Sequence, residues 1–111
     1  MPKSKTSAAP QYLYLTTTGR VTGQPREIEI WFVESEGKYY ILAEHFYEAQ
    51  WVKNILRDSR VRVRIEGRNF EATARVLDKK IDAALWELAQ RLCREKYKWG
   101  DGLPVEITPA E

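Results

Sequence analysis

The chain has 111 residues, a length that suits one domain with one core and leaves no room for a catalytic cleft between two domains of its own. Its 18 Lys and Arg against 16 Asp and Glu give a formal net charge of +2, too close to neutral to predict a protein that binds polyanions through bulk charge. No apolar run is long enough to span a bilayer, and residues 1–10 lack the apolar middle of a secretory signal. These features predict a cytoplasmic protein.

The pattern of apolar residues predicts an antiparallel α+β fold. Residues 1–10 are small, polar and bounded by proline, which predicts a flexible lead-in to a single domain at residues 11–111. Strands are predicted at residues 12–17, which are rich in β-branched and aromatic residues, and at residues 38–43 after a turn. Alternation of apolar and polar residues predicts three more strands at 27–32, 61–65 and 69–77. Spacing of three and four predicts a short helix at about residues 48–56. Short strands with so few helices favour a small, partly open barrel.

The C-terminal third of the sequence adds an amphipathic helix and a last strand. Asp78 is predicted to cap a helix that begins near Lys79. The predicted apolar stripe of this helix is Ile81, Leu85, Leu88 and Leu92. Residues 103–107 predict a short edge strand, because Pro104 is tolerated where no partner strand needs its missing N–H. Cys93 lies among helix-spaced apolar residues, which predicts a buried thiol.

Four arginines on or beside the fourth predicted strand raise the alternative of nucleic-acid binding. If Gly67-Arg68 forms the two-residue turn after that strand, Arg64 lies opposite Glu71. Local carboxylate partners and a near-neutral net charge therefore argue against a nucleic-acid partner.

The segment from Leu15 to Arg26 carries the strongest functional signal in the chain. Its two glycines can adopt positive φ, and threonines such as Thr18 and Thr22 add neutral donors. Arg20 and Arg26 add charge and forked geometry, so the segment has the composition of a phosphate-binding loop. The alternative is an ordinary hairpin turn, since Gly, Pro and Thr are common in turns.

Other candidate catalytic groups are sparse. Glu27 and Glu29 are two apart on one strand face, but edge or interface carboxylates are the simpler interpretation. His45 is the single histidine and no Cys or His cluster accompanies it, so no metal site is predicted. His45 and Tyr47 remain weak candidates for a catalytic acid or base.

Several sequence blocks resemble one known group of proteins. They are residues 16–26 (TTTGRVTGQPR), 40–45 (YILAEH), 51–56 (WVKNIL) and 60–63 (RVRV). In this order they resemble the deazaflavin-dependent nitroreductase and quinone reductase family over roughly residues 13–78. The resemblance implies an antiparallel split β-barrel of the FMN-binding, pyridoxamine-phosphate-oxidase type. It also implies a homodimer whose cofactor groove lies near the interface.

The resemblance also implies the site residues. It assigns the cofactor's phosphate and tail to the loop residues Thr18, Arg20, Thr22, Gly23 and Arg26. It places Ala43, Glu44 and His45 beside the ring, Ile28 and Ile30 on an apolar wall, and Trp51 and Asn54 on the helix that lines the site.

The implied function is hydride transfer from a deazaflavin or flavin to a small electron-poor acceptor such as a quinone or nitroaromatic. Val21 stands where the family commonly has Lys, which removes one cation from the loop. FMN therefore remains an alternative to coenzyme F420. A non-catalytic split barrel that binds a flavin, haem or another planar anion is the second hypothesis.

Overall fold

The computed structural model describes residues 10–110. In this range the chain forms seven strands, two α-helices and one 3₁₀ turn: β1 Tyr12–Thr18, β2 Pro25–Trp31, β3 Val33–Ser35, β4 Lys38–Ala43, the 3₁₀ turn Phe46–Glu48, α1 Gln50–Arg57, β5 Arg60–Ile65, β6 Arg68–Val76, α2 Ala83–Tyr97 and β7 Leu103–Pro109. Apart from Pro10, the predicted lead-in at residues 1–10 lies outside the described residues. Within them, no helix is long and apolar enough to cross a membrane.

The strands of residues 10–110 join one antiparallel sheet in the order β2-β1-β5-β6-β7-β4-β3. The sheet curls until β2 contacts β4, although β1, β5, β6 and β7 lie between them in that order. Right-handed twist accumulated over many strands produces this kind of curvature. The prediction of an antiparallel split β-barrel is confirmed.

Alternate side chains of the strands fill the barrel. Leu13, Leu15, Val63 and Ile107 are completely buried there, and Ile55 of α1 packs against the same core. The two-residue period of burial in β1 and β5 reflects this inner face, since their intervening residues point outward and are largely exposed or half-buried.

Helix α2 covers the outer face of the sheet. Tyr40 and Leu42 of β4 pack there against Ala89 and Cys93 of α2. Both faces of β4 are therefore covered, which explains why its last five residues are all buried.

The prediction of an edge strand at residues 103–107 is wrong. β7 lies between β6 and β4 and is buried along most of its length. Pro104 stands opposite Leu42 in this central strand, and its carbonyl oxygen accepts a hydrogen bond of 3.0 Å from the Leu77 N–H. Coverage by α2 and pairing on both sides outweigh the one donor that proline lacks.

A buried carboxylate lies on β7. Glu106 is 4% exposed and accepts hydrogen bonds from the Tyr40 hydroxyl at 3.0 Å and from Arg75 at 3.2 Å. Arg75 also donates to Asp82 at 3.0 Å, just before α2. Burial and the neighbouring Glu106 raise the pKa of Tyr40 to about 12. This network satisfies the buried charge and ties the start of α2 to the sheet.

The predicted turn between β5 and β6 is displaced by one residue. Glu66 and Gly67 form the turn with φ of 48° and 83°, and Ile65 pairs with Arg68. Positive φ at both central positions suits the twist of a tight hairpin. Glu71 therefore lies opposite Arg62, with 2.6 Å between their charged atoms, rather than opposite Arg64.

The predicted start of α2 is also wrong. Asp78 accepts hydrogen bonds from the N–H groups of Lys80 and Ile81 at 2.8 and 2.9 Å, but these belong to a turn that precedes the helix. Ile81 is 84% exposed and does not belong to the apolar face. Trp86, Ala89 and Cys93 are the most buried residues of the helix, and Leu85 and Leu92 of the predicted stripe are half-buried beside them.

Candidate functional site

A cavity of about 670 Å³ lies where the curled sheet fails to close. The edge strand β2 lines one side, the residues after β4 line another, and α1 and the C-terminal end of α2 complete the wall. Five of its lining residues are aromatic: Tyr12, Trp31, Trp51, Tyr97 and Trp99. A concave, aromatic space of this size suits a planar organic ligand.

The aromatic wall is held in place by backbone contacts. The rings of Trp31 and Tyr97 stack in parallel with 4.6 Å between their centroids. The Tyr97 hydroxyl accepts a hydrogen bond from the Phe32 N–H at 3.1 Å and donates to the Gln11 carbonyl oxygen at 2.7 Å. Burial raises the pKa of Tyr97 to about 12, so this hydroxyl keeps its proton at neutral pH.

Five of the predicted site residues line this cavity. They are Ile28, Ile30, Glu44, His45 and Trp51. The alternation of β2 turns both isoleucines toward the barrel core, where they are half-buried.

Two other predicted positions lie apart from the cavity. Ala43 is 1% exposed and packs into a hydrophobic cluster with Leu103. Tyr47 is 51% exposed in the 3₁₀ turn and does not line the cavity.

The loop between β1 and β2 is closed by its own backbone. The Gly19 N–H donates to the Gln24 carbonyl oxygen, and the Gly23 N–H donates to the Gly19 carbonyl oxygen, both at 2.8 Å. Gly23 has a φ of 76°, as expected for a glycine that closes a turn. The Thr22 hydroxyl accepts from the Gln24 N–H at 3.2 Å. Both glycine N–H groups are therefore engaged within the loop and are not free to bind an anion.

Arg20 is fixed by two side-chain amides of α1. Its guanidinium donates to Asn54 Oδ1 at 2.9 Å and to Gln50 Oε1 at 2.7 Å. The Arg20 backbone N–H also reaches Asn54 Oδ1, at 3.2 Å. Asn54 is 4% exposed and donates to the Thr17 hydroxyl at 3.1 Å. This chain of neutral groups orders the loop against α1.

The partners of Arg20 differ from those of the strand arginines. Arg60, Arg62 and Arg64 each pair with a carboxylate. Among residues 10–110, no carboxylate forms a salt bridge with Arg20 or Arg26. Amide oxygens orient a guanidinium without neutralising it, so Arg20 keeps its positive charge for an anion.

Helix α1 connects the charged loop with the aromatic cavity. Gln50 and Asn54 are four residues apart and hold Arg20, while Trp51 lines the cavity. Thr18 at the end of β1 is half-buried, and Arg26 near the start of β2 is exposed. The charged loop and the aromatic cavity therefore lie on either side of one helical turn.

Sequence reasoning missed several of these residues. Gln50 contacts Arg20, and its i, i+4 spacing from Asn54 was the one signal that pointed to it. Trp31 and Tyr97 meet across 66 positions of sequence, so no local pattern indicates their contact.

Cys93 lines the cavity but is not a reactive thiol. It is 3% exposed, and burial raises its pKa to about 11. The nucleophile is the thiolate. We therefore expect native protein to react with iodoacetamide at least about tenfold more slowly than free cysteine at neutral pH, and unfolded protein to react at the ordinary rate. Equal rates for native and unfolded protein, measured by mass spectrometry, would contradict this placement.

In the part of the chain that the structure describes, no group of three His, Cys, Asp or Glu side chains is arranged to hold a metal ion. The sole histidine, His45, lies 4.0 Å from Glu44 at the exposed side of the cavity.

Solved structures share this arrangement of strands. The haem storage protein HutZ from Vibrio cholerae has a TM-score of 0.72 at 19% identity, covering 92% of this chain and 83% of that one. An F420-H2 dependent reductase, FDR-A, has a TM-score of 0.64 at 27% identity, covering 87% and 92%. A structure described as a domain-swapped dimer has a TM-score of 0.61 at 27% identity, covering 87% and 78%.

Family assignment comes from the sequence comparison. A search of curated proteins gives no significant match. The model of the F420H(2)-dependent quinone reductase family matches residues 4–108, which includes the charged loop, α1 and every wall of the aromatic cavity. The chain therefore belongs to the F420H(2)-dependent quinone reductase family.

Proposed function

We propose that this protein binds coenzyme F420 and reduces a small electron-poor acceptor of the quinone or nitroaromatic type. The observation that carries the proposal is the position of Arg20. Its guanidinium is oriented by Gln50 and Asn54, pairs with no carboxylate of residues 10–110, and adjoins an aromatic cavity through α1. Family membership supports the coenzyme.

The residues present fit an anionic coenzyme with a planar ring. Arg20 and Arg26 would hold the phosphate and the acidic tail, with the hydroxyls of Thr18 and Thr22 as neutral donors. Val21 is 86% exposed and contributes no charge, so the tail is held by fewer cations than the family commonly supplies. The cavity beside Trp51 would take the ring.

The chemistry divides between coenzyme and protein. When bound, the coenzyme supplies a hydride, and the acceptor combines this hydride with one proton from water to give the two-electron-reduced product. The chain would bind the tail of the coenzyme through Arg20, and Ile28, Ile30 and Trp51 would orient the ring and exclude water from the apolar wall. Tyr97 keeps its proton and acts as a packing surface.

We also propose that the protein is a homodimer with the groove near its interface. β2 is an edge of the sheet with β1 as its single neighbour, and it flanks the cavity. Tyr12 is 45% exposed beside this edge. A second copy paired along the edge of β2 would cover Tyr12 and the unpaired backbone groups of the strand. The similar structure described as a domain-swapped dimer supports this assembly.

The test is a titration of the purified protein with oxidised coenzyme F420, followed by fluorescence, and a parallel titration with FMN. We expect micromolar binding of coenzyme F420 and weaker binding of FMN. Anaerobic addition of reduced coenzyme and a quinone should then give turnover.

Three other results would change the proposal. Tighter binding of FMN than of coenzyme F420 would identify FMN as the hydride-donating coenzyme. Tight binding without turnover would favour the non-catalytic hypothesis. Binding of neither coenzyme would refute the proposal.

A further inference from the structure

We propose that the aromatic cavity selects planar acceptors with no charge or a positive charge and disfavours anionic ones. Glu29 and Glu44 set this preference, and the Trp31 and Tyr97 stack is the binding platform. The proposal rests on the proposed function, because it assigns the second substrate of that reaction to the space beside the coenzyme ring.

The platform is a preformed flat surface. Trp31 and Tyr97 are parallel, and the Tyr97 hydroxyl is fixed to the backbone of Phe32 and Gln11. Trp99 follows α2 and lines the same cavity. A surface fixed before binding loses little side-chain entropy when a flat ring stacks on it, which favours planar aromatic acceptors.

The charges at the cavity are negative. Of the described residues that line it, Glu29 and Glu44 are carboxylates, none is Lys or Arg, and His45 is the one basic side chain. His45 Nε2 lies 4.0 Å from Glu44 Oε1, a distance at which a protonated imidazole pairs with this carboxylate.

Among residues 10–110, Glu29 forms no salt bridge with a cationic side chain. Its carboxylate accepts a hydrogen bond of 2.5 Å from the Tyr14 hydroxyl, which leaves its full charge. Arg64 lies 4.1 Å from the Tyr14 ring centroid, but its guanidinium pairs with Glu27 at 3.3 Å. Glu29 is therefore an unpaired negative charge at the cavity wall, whereas the ammonium of Lys96 lies 5.1 Å from the Tyr97 ring centroid and is held by the Pro10 and Phe32 carbonyl oxygens.

The two ends of the site have opposite charge. Arg20 and Arg26 attract the anionic tail of the coenzyme to the loop, whereas the carboxylates repel a second anion from the cavity. An acidic acceptor would face Glu29 directly. This arrangement separates the two substrates by charge as well as by shape.

The test uses two naphthoquinones that differ in one side chain, which ends in trimethylammonium or in sulfonate. Binding of each oxidised quinone to the full-length protein without coenzyme is measured by quenching of tryptophan fluorescence at low ionic strength. We expect the cationic quinone to bind about tenfold more tightly, as for one or two solvent-exposed charges a few ångströms away. Added salt should shrink this ratio.

Variants assign the preference to residues. Glu29→Gln should lower the cation-to-anion affinity ratio about threefold to fivefold. Glu27→Gln is the matched control, because Glu27 lies on the same strand, pairs with Arg64 and does not line the cavity. It should leave the ratio unchanged. Trp31→Ala should weaken both quinones about fivefold, and Trp31→Phe should restore most of the affinity.

Two results would overturn this proposal: tighter binding of the sulfonate, or a ratio that Glu29→Gln and Glu27→Gln change equally. Either result can be recognised separately from failure of the proposed function. Absence of coenzyme binding together with a normal charge preference would refute the reductase and leave the cavity's selectivity intact.

Discussion

Arg20→Ala is expected to weaken binding of coenzyme F420 by about 10- to 100-fold, the range for loss of a charge-assisted interaction with an anion. Gln50 and Asn54 hold this guanidinium in place with its charge unneutralised. The folded state should be little affected, because Asn54 keeps its hydrogen bond to Thr17. Fluorescence titration gives the dissociation constant, and circular dichroism checks the fold.

Arg62→Ala is the matched control for this variant. This substitution removes the same guanidinium group. In the folded protein Arg62 pairs with Glu71 on the outer face of the sheet, with 2.6 Å between their charged atoms, and 63% of its side chain is exposed. A surface pair of this kind contributes about 0–1 kcal/mol, so neither coenzyme affinity nor stability should change much.

Arg20→Lys separates charge from geometry. Lysine keeps the positive charge but lacks the fork that contacts two amides at once, so its affinity should lie between those of wild type and Arg20→Ala. Equal affinity of wild type and Arg20→Ala for coenzyme F420 would show that Arg20 does not bind the coenzyme.

Ile107→Ala is expected to lower the free energy of unfolding by about 2–5 kcal/mol, the usual cost of deleting a buried aliphatic side chain in a packed core. Ile107 is completely buried in β7 and packs in the main core. A small domain has about 5–15 kcal/mol in total, so this single change removes much of it. Denaturant unfolding followed by tryptophan fluorescence measures the loss.

Ile81→Ala is the control with identical chemistry. Ile81 is 84% exposed in the turn before α2, so its removal should change the free energy of unfolding by no more than about 0.5 kcal/mol. Similar losses for both variants would show that residues 103–107 lie at an edge, or that Ile81 is packed, and would contradict the structure.

Local patterns predicted the elements well. Alternation identified β2, β5 and β6, because one buried face imposes a two-residue period on each strand by itself. Apolar spacings of three and four residues identified α1, because one buried face imposes the 3.6-residue period of a helix. The composition of residues 15–26 predicted a charged loop, because the conformational freedom of glycine and the positive charge of arginine do not depend on neighbouring elements.

Features that need a second element were predicted poorly. The edge assignment of β7 rested on Pro104, but the residues that cover this strand come from α2 and from β4 and β6. The β5 to β6 turn was placed one residue late, because both Glu66-Gly67 and Gly67-Arg68 contain the glycine that a tight turn requires.

The sequence alone determined the split-barrel class, the family resemblance and the presence of two arginines in a glycine-containing loop. Each of these depends on residues that are close together in the sequence. The tertiary structure decided what each arginine contacts. Arg20 and Arg62 are chemically identical, and their roles differ because one meets the amides of α1 and the other meets Glu71 across a hairpin. The same holds for Trp31 and Tyr97, which stack because the curled sheet brings the end of α2 to its open edge.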